Sequence, residues 1–250
     1  MNDLSFLLQK YDINSYLVNS KRELGLTPLL NLLQDSASTH ANALGFGYEQ
    51  MQAAGTFWVL SRQKLQMKKW PKWHQTLTIK TWIRKSGGPF SHRDFILYCE
   101  DEQIGECTTS WVTVDALSRK AVLLDRSSTL SQLKDLGQVS FDSVKISRQE
   151  QLSLLAKFTV RNSDLDHNQH VNNTKYAQWI MDALPLKWFS TNNLAAYSVN
   201  FLAETFHNDC IQVFSATHNP LDSLNDIYFE GVRESDGKCV FTARLSLQAI

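Results

Sequence analysis

Residues Ala156–Leu184 read AKFTVRNSDLDHNQHVNNTKYAQWIMDAL. Three textures follow one another in this stretch. AKFTVR (Ala156–Arg161) alternates apolar and polar side chains, the period of a half-buried strand. The ten residues from Asp164 to Asn173 then hold two Asp, two His and three Asn. A helical pattern runs from about Asn172 to Leu184, where Pro185 stops it. The segments on either side of this strand, reversal and helix decide the fold class.

After the helix come the strand patterns AAYSVNFLAE, CIQVFSATH, DIYFEGVRE and CVFTARLSLQAI. Asp236-Gly237 between the last two is the dipeptide of a tight hairpin. The first half has the same order. SYLVNS (Ser15–Ser20) is a short strand candidate. Thr27 is an N-cap candidate with Pro28 at the first helical position. Leu29, Leu33, Ala37 and Ala41 recur every four residues, and Gly45 stands where a C-cap belongs. Long β patterns follow, among them QTLTIKTWI, DFILYC and ECTTSWVTVD, with the turn-like EDEQIG between the last two.

Each half thus reads as strand, helix, then four strands. The expected fold class is α+β: two tandem units, each a long helix wrapped by a strongly twisted antiparallel sheet. The expected boundaries are 1–115 and 155–250, with 116–154 as a connector that carries a short helix at TLSQLKDLG. Such units either leave an apolar tunnel beside each helix, suited to a flexible acyl chain, or fill their cores completely. The pattern alone allows both.

Composition narrows the function classes. The 250 residues are 43% hydrophobic and 20% charged, which supports a packed core. Lys+Arg and Asp+Glu are each 25, so the basic excess of a general nucleic-acid binder is missing. MNDLSFLLQKYD lacks the basic start and apolar run of a signal peptide, and no apolar run approaches 18 residues. Cys99, Cys107, Cys210 and Cys239 show no CxxC spacing; free thiols in a reducing cytoplasm are expected.

The polar reversal carries the chemistry. Aligning Phe158 with Tyr16 without gaps sets Asp166, Asn168 and His170 opposite Leu24, Leu26 and Pro28, so the polar set belongs to the second half alone. A turn or cap needs one or two such residues, not Asp166, Asn168, His170, Asn172 and Asn173 together. A helix start offers unpaired amides and a positive dipole end, which can hold the charge of an attacked carbonyl. Asn168 can add a side-chain N–H, His170 can carry a proton near neutral pH, and Asp166 can fix the imidazole tautomer. His167 and His170 precede the helix, and no second ligand cluster follows, so a zinc site is not expected.

DLDHNQHVNNTKYAQWI resembles the signature of the acyl-ACP thioesterases, the plant fatty acyl-ACP thioesterases and their bacterial relatives. The family pattern is Asp-x-Asn-x-His-Val-Asn-Asn, then Tyr and Trp; here these are Asp166, Asn168, His170, Val171, Asn172, Asn173, Tyr176 and Trp179. LVNSKRELGLTPLLNLLQDSASTHANALGFG and FWVLSRQKLQMKKWPKWHQTLTIKTW extend the likeness through the first half. The resemblance implies a tandem hotdog fold and hydrolysis of fatty acyl thioesters on acyl carrier protein, with no metal or organic cofactor.

The resemblance also supplies a base. An acidic residue lies about 34 positions after the motif His in the family, usually followed by Cys. Glu204 fits (204 − 170 = 34), but Thr205 follows it. Attack by water is therefore expected, with Glu204 as base and His170 as its partner. Asn168 and an amide near Val171 or Asn172 would hold the oxyanion.

The acidic carrier would meet Lys64, Lys68, Lys69, Lys72 and Arg84, together with Lys85 and Arg93. The acyl chain would lie in the first unit near Ala37 and Ala41. A homodimer stays open. The rival readings are an acyl-CoA thioesterase, a non-catalytic acyl-binding protein and a hotdog dehydratase.

Overall fold

The computed structural model describes residues 3–85, 89–123, 127–216 and 226–249. The chain divides into two compact units, Met1–Ser143 and Val144–Ile250. Each is an antiparallel sheet curled about one main helix, the hotdog arrangement.

In the first unit β1 (Leu7–Asp12) leads to α1 (Leu26–Ala43) and the short α2 (Tyr48–Ala53). Then come β2 (Thr56–Met67), β3 (Thr76–Ile83), β4 (Phe90–Cys99), β5 (Glu102–Asp115), the two-residue β6 (Ala121–Val122) and α3 (Ser127–Ser131). The strand order is β1-β3-β4-β5-β2, with β6 beside β5. The alternation in QTLTIKTWI is realised in β3, where Leu77, Ile79, Thr81 and Ile83 are buried. α1 buries Leu26, Leu29, Leu30, Leu33, Ser36, Ala37 and His40. Each fully buried leucine contributes about 1.5–3 kcal/mol.

Three local expectations are corrected here. SYLVNS is not a strand: Leu17 N–H donates to Asn14 O, and the Asn19 side chain accepts from Lys21 and Glu23 N–H at 2.8 and 3.2 Å, bending the chain. The strand is LLQKYD instead. The N-cap of α1 is Gly25, not Thr27, and helical geometry begins at Leu26. The short helix in the connector is α3, which starts two residues before TLSQLKDLG and ends within it.

The segment 116–154 contributes to both units. Trp82 Nε1 donates to Gly137 O at 2.9 Å, Val139 N–H to Asp94 at 3.1 Å and Ser140 Oγ to Glu106 at 2.6 Å. Further on, Ile146 N–H donates to Asn200 Oδ1 at 2.6 Å and Arg148 pairs with the buried Glu230.

The second unit repeats the plan. β7 (Ser153–Thr159) leads through the polar reversal to α4 (Asn173–Asp182). Pro185 ends that helical run and caps a further short helix, α5 (Leu186–Thr191). The remaining strands are β8 (Asn192–Phe201), β9 (Cys210–Ser215), β10 (Ile227–Arg233) and β11 (Cys239–Ala249). Their order, β7-β9-β10-β11-β8, matches the first unit strand for strand. Residues 217 and 218, within the expected strand CIQVFSATH, lie outside the described residues.

The second core is aromatic. Tyr176 meets Trp179, Phe201 and Phe241 edge-on at 5.2–5.5 Å, and Trp179 stacks on Phe158 at 6.0 Å. Gly231 makes room for Phe241: a Cβ there would stand 2.0 Å from the ring. Among the described residues no helix is long and apolar enough to cross a membrane.

Candidate active site

The polar reversal folds into a small hairpin. Leu165 and Val171 bridge antiparallel at its base. Asp166 N–H donates to His170 O at 2.7 Å, and Gln169 N–H returns to Asp166 O at 3.0 Å. Gln169 takes the left-handed conformation (φ 62°) that closes the turn. The Asp166 carboxylate accepts from the backbone N–H of Asn168 at 2.8 Å and of His170 at 3.2 Å. These bonds shape the loop, and among the described residues Asp166 makes no bond to the imidazole whose tautomer it is expected to fix.

The hairpin presents two side chains differently. Asn168 is exposed near the tip, while His170 turns back and is half-buried. The His170 ring lies edge-on to Phe206 at 5.2 Å, and its Nδ1 stands 3.8 Å from Glu204 Oε1. That gap is longer than a direct hydrogen bond, so both groups can address one small molecule such as water. Glu204 follows the end of β8, which brings it opposite a histidine 34 residues earlier (204 − 170).

The helix start corrects the expected oxyanion donors. Val171 N–H is committed to Thr205 O at 3.1 Å, and Asn172 N–H to Asp164 O at 2.8 Å. Asn172 is the N-cap: its Oδ1 accepts from Thr174 N–H and Thr174 Oγ1, both at 3.0 Å. Lys175 N–H donates to Asn172 O. Asn173 N–H, the first amide of α4, takes part in none of these bonds.

Thr205 replaces the thiol of the family pattern and is itself fully buried. Its hydroxyl makes a short hydrogen bond with Tyr176 Oη. Burial pushes the Tyr176 phenol well above its ordinary range. Cys210, the next thiol along, is raised by desolvation and then by Glu234. Desolvation likewise lifts Cys107 to about 12 and Cys239 to about 11. None of these thiols is activated as a nucleophile.

The expected carrier patch is only partly a free surface. Arg84 is enclosed by Asp94, Asp142, Gln138 and Thr108. Arg93 is buried against His40 Nδ1 at 3.0 Å and Thr81 at 3.2 Å. Lys69 pairs with Glu102 at 2.7 Å, and Lys64 lies over the Phe141 ring at 4.9 Å. Lys68, Lys72 and Lys85 remain exposed. On α1, Ala37 faces the core, whereas Ala41 lies at its flank.

The structure also corrects the gapless alignment. The bridge Val18–Leu24 is the counterpart of Leu165–Val171, an offset of 147 residues (165 − 18 and 171 − 24). Asp166, Asn168 and His170 therefore correspond to Asn19, Lys21 and Glu23, not to Leu24, Leu26 and Pro28. Tyr16 lies in a turn and not on a strand, so it is not the counterpart of Phe158 in β7. Phe206 and Arg233 have no identifying spacing, because the β8–β9 loop and the end of β10 bring them to the site, whereas Asn173 stands within the motif.

Two hotdog units, one carrying a His–Glu pair beside a capped helix start, define the class: a tandem hotdog protein with one polar site in its second unit. The sequence profile of the acyl-ACP thioesterase N-terminal domain matches residues 5–126, and that of the C-terminal domain matches residues 147–245. The chain belongs to the acyl-ACP thioesterase family.

The chain is similar to oleoyl-acyl carrier protein thioesterase of Coriandrum sativum, 26% identical over 81% of this chain and 60% of the relative. It is 24% identical to oleoyl-acyl carrier protein thioesterase 1 of Arabidopsis thaliana, over 95% of this chain and 71% of the relative. It thus spans about three fifths of the coriander protein. Its fold matches an acyl-ACP thioesterase from Bacteroides thetaiotaomicron with a TM-score of 0.88 at 22% identity, covering 98% of both chains. It matches a 12:0-ACP thioesterase from Umbellularia californica at 0.83 and 20% identity, covering 100% and 99%.

Proposed function

We propose that this chain hydrolyses fatty acyl thioesters of acyl carrier protein to free fatty acid and carrier thiol. The observation that carries the reading is the Glu204–His170 pair, 3.8 Å apart beside the start of α4. Glu204 takes a proton from water as its oxygen bonds to the acyl carbon. Asn173 N–H and the Asn168 side chain stabilise the developing oxyanion, with Asn173 replacing the committed amides of Val171 and Asn172. The C–S bond then breaks, and the thiolate takes a proton from His170 or solvent. Preorganised donors of this kind are worth about 3–4 kcal/mol each, and a general base about 10²–10⁴ in rate. In this reading the second unit is catalytic, and the first holds the acyl chain along α1. Asp166 acts by holding the loop.

One observation favours keeping acyl-CoA as a second substrate class: Arg84, Arg93 and Lys69 are engaged within the fold, which thins the basic surface expected to select an acidic carrier. The test follows thiol release from palmitoyl-ACP, octanoyl-ACP and the matching CoA esters. ACP turnover lost in Glu204→Ala and His170→Ala, with folding retained, is the expected result. Activity on CoA esters alone selects the second reading. Tight acyl binding without hydrolysis of any ester overturns both.

A further inference from the structure

Glu204 lies in the loop between β8 and β9, and nearly all of that loop is held by main-chain bonds. Leu202 and Ala203 N–H both reach Val240 O, Thr205 O accepts from Val171, and Asp209 N–H closes on Phe206 O at 3.1 Å. The Glu204 carbonyl is held differently. Arg233, at the end of β10, donates from Nη1 to Glu204 O at 3.0 Å. The same Nη1 lies 3.4 Å from Asp209 Oδ2, which also accepts Phe206 N–H at 2.9 Å. The other side of the guanidinium forks onto Asp236, with Nε at 3.0 Å and Nη2 at 2.8 Å from its two oxygens. Asp236 sits in the hairpin between β10 and β11 and also accepts Lys238 N–H at 3.1 Å. One planar cation therefore joins that hairpin to the backbone of Glu204 and to the turn that carries Phe206.

The first unit provides an internal control. Its β2–β3 loop repeats the backbone bonds: Lys68 and Lys69 N–H reach Ile104 O, Pro71 O accepts from Leu24, and Gln75 N–H closes on Lys72 O. Trp70 stands in the place of Glu204, and Cys99, at the end of β4, in the place of Arg233. The loop therefore folds without a guanidinium. The unit with the cation is the unit with the carboxylate.

We infer that Arg233 is a positioning residue for Glu204, fixing the backbone from which the carboxylate addresses His170 and the attacking water. The inference rests on the hydrolase reading above. A guanidinium suits the task because its fork binds a carboxylate in one plane while a remaining N–H meets a carbonyl. A carboxylate misplaced by about 1 Å can lose about 100-fold in rate.

The test compares Arg233→Met, Arg233→Lys, Glu204→Ala and the double variant Glu204→Ala/Arg233→Met, with palmitoyl-ACP as substrate and circular dichroism for folding. Arg233→Met is expected to lower kcat about 100-fold with KM within about twofold. Arg233→Lys, which keeps one donor and the charge, should recover part of the loss. In the Glu204→Ala background, Arg233→Met should remove little more, because it acts through the group already deleted. Undiminished kcat in Arg233→Met overturns the inference. So does an equal further loss in the Glu204→Ala background, which marks a general structural role. If Arg233→Met fails to fold, the comparison passes to Arg233→Lys: wild-type kcat there overturns the inference, and a kcat loss that disappears in the Glu204→Ala background supports it. Full activity in Glu204→Ala itself is a different failure, that of the base assignment, and shows separately.

Discussion

The two units close the same loop with different residues. In the first, Asn19 Oδ1 accepts from Lys21 and Glu23 N–H at 2.8 and 3.2 Å; in the second, Asp166 Oδ1 accepts from Asn168 and His170 N–H at the same two distances. Arg22 and Gln169 both take left-handed conformations, at φ 60° and 62°. Gly25 N–H reaches Leu17 O as Asn172 N–H reaches Asp164 O. The hairpin is therefore part of the fold, and a single Asx acceptor is enough to shape it. What separates the units is the side chains on that hairpin, Lys21 against Asn168, Glu23 against His170 and Gly25 against Asn172, and on the loop bonded to it, Trp70 against Glu204. The cores diverge too. α1 buries leucines, Ser36 and Ala37, whereas α4 buries Tyr176 and Trp179 among phenylalanines. The unit with the His170–Glu204 pair has an aromatic-filled core, and the unit without it has the slimmer side chains on its helix.

The sharpest way to break this comparison is to exchange chemistry at the base of the hairpin. Leu24 is 1% exposed and occupies the place of Val171. Leu24→Asp should destabilise the protein by about 4 kcal/mol or more, since a carboxylate would be buried without a partner. Urea unfolding measures this directly, and a change below about 1 kcal/mol would show that the first hairpin base is not packed as described.

Next in size is a pH effect confined to the first unit. His40 is buried on α1; desolvation first, and Arg93 second, lower its pKa to about 4. The unfolded chain binds its proton near 6.5. Between those values the unfolded state holds more protons, so stability rises with pH across the window and is lost as pH falls through it. The full span corresponds to about 3 kcal/mol at about 1.36 kcal/mol per pH unit. Urea midpoints at pH 7 and pH 4.5 should show the loss, and His40→Gln should flatten the slope.

Asp166→Asn and Asp166→Leu sharpen the loop equivalence. Asn19 does the same job in the first unit, so Asp166→Asn should keep stability within about 0.5 kcal/mol. Asp166→Leu should cost about 1–2 kcal/mol and lower turnover along with it, because two backbone N–H groups lose an acceptor. A large loss of activity in a stable Asp166→Asn variant would instead assign the charge itself a role at His170.

Much of this was legible in the sequence. The repeat, the helix stop at Pro185 and the hairpin at Asp236-Gly237 follow from short-range rules of periodicity and turn chemistry. SYLVNS is β-prone in composition and so reads as a strand, while Asn19 turns its backbone through side-chain bonds that no periodicity reports. A gapless alignment on Tyr16 therefore stands five residues out of register (147 − 142) and places leucines opposite the polar set. The motif draws attention to Asp166 and His170, but that the Asp166 carboxylate shapes its own loop appears only in its hydrogen bonds. Arg233 comes to the site at a strand end and Phe206 on a loop, and the burial of Arg84 and Arg93 depends on which face of a strand meets the connector or the helix.

The smallest predicted effect concerns what remains of the basic surface. Lys68 and Lys72 lie on the β2–β3 loop of the first unit, the counterpart of the loop that carries Glu204 in the second. Both are exposed, and Arg22 is brought near them because its carbonyl accepts Trp73 N–H at 2.9 Å. Exposed charge pairs are worth about 0.2–1 kcal/mol each, so Lys68→Glu/Lys72→Glu should raise KM for palmitoyl-ACP roughly fivefold and leave kcat unchanged. The rise should shrink as salt is added, because the charges are open to screening. A neutral N-acetylcysteamine thioester should be hydrolysed equally by both proteins. An unchanged KM for palmitoyl-ACP would move carrier recognition away from this loop and leave the likeness between the two loops one of backbone alone.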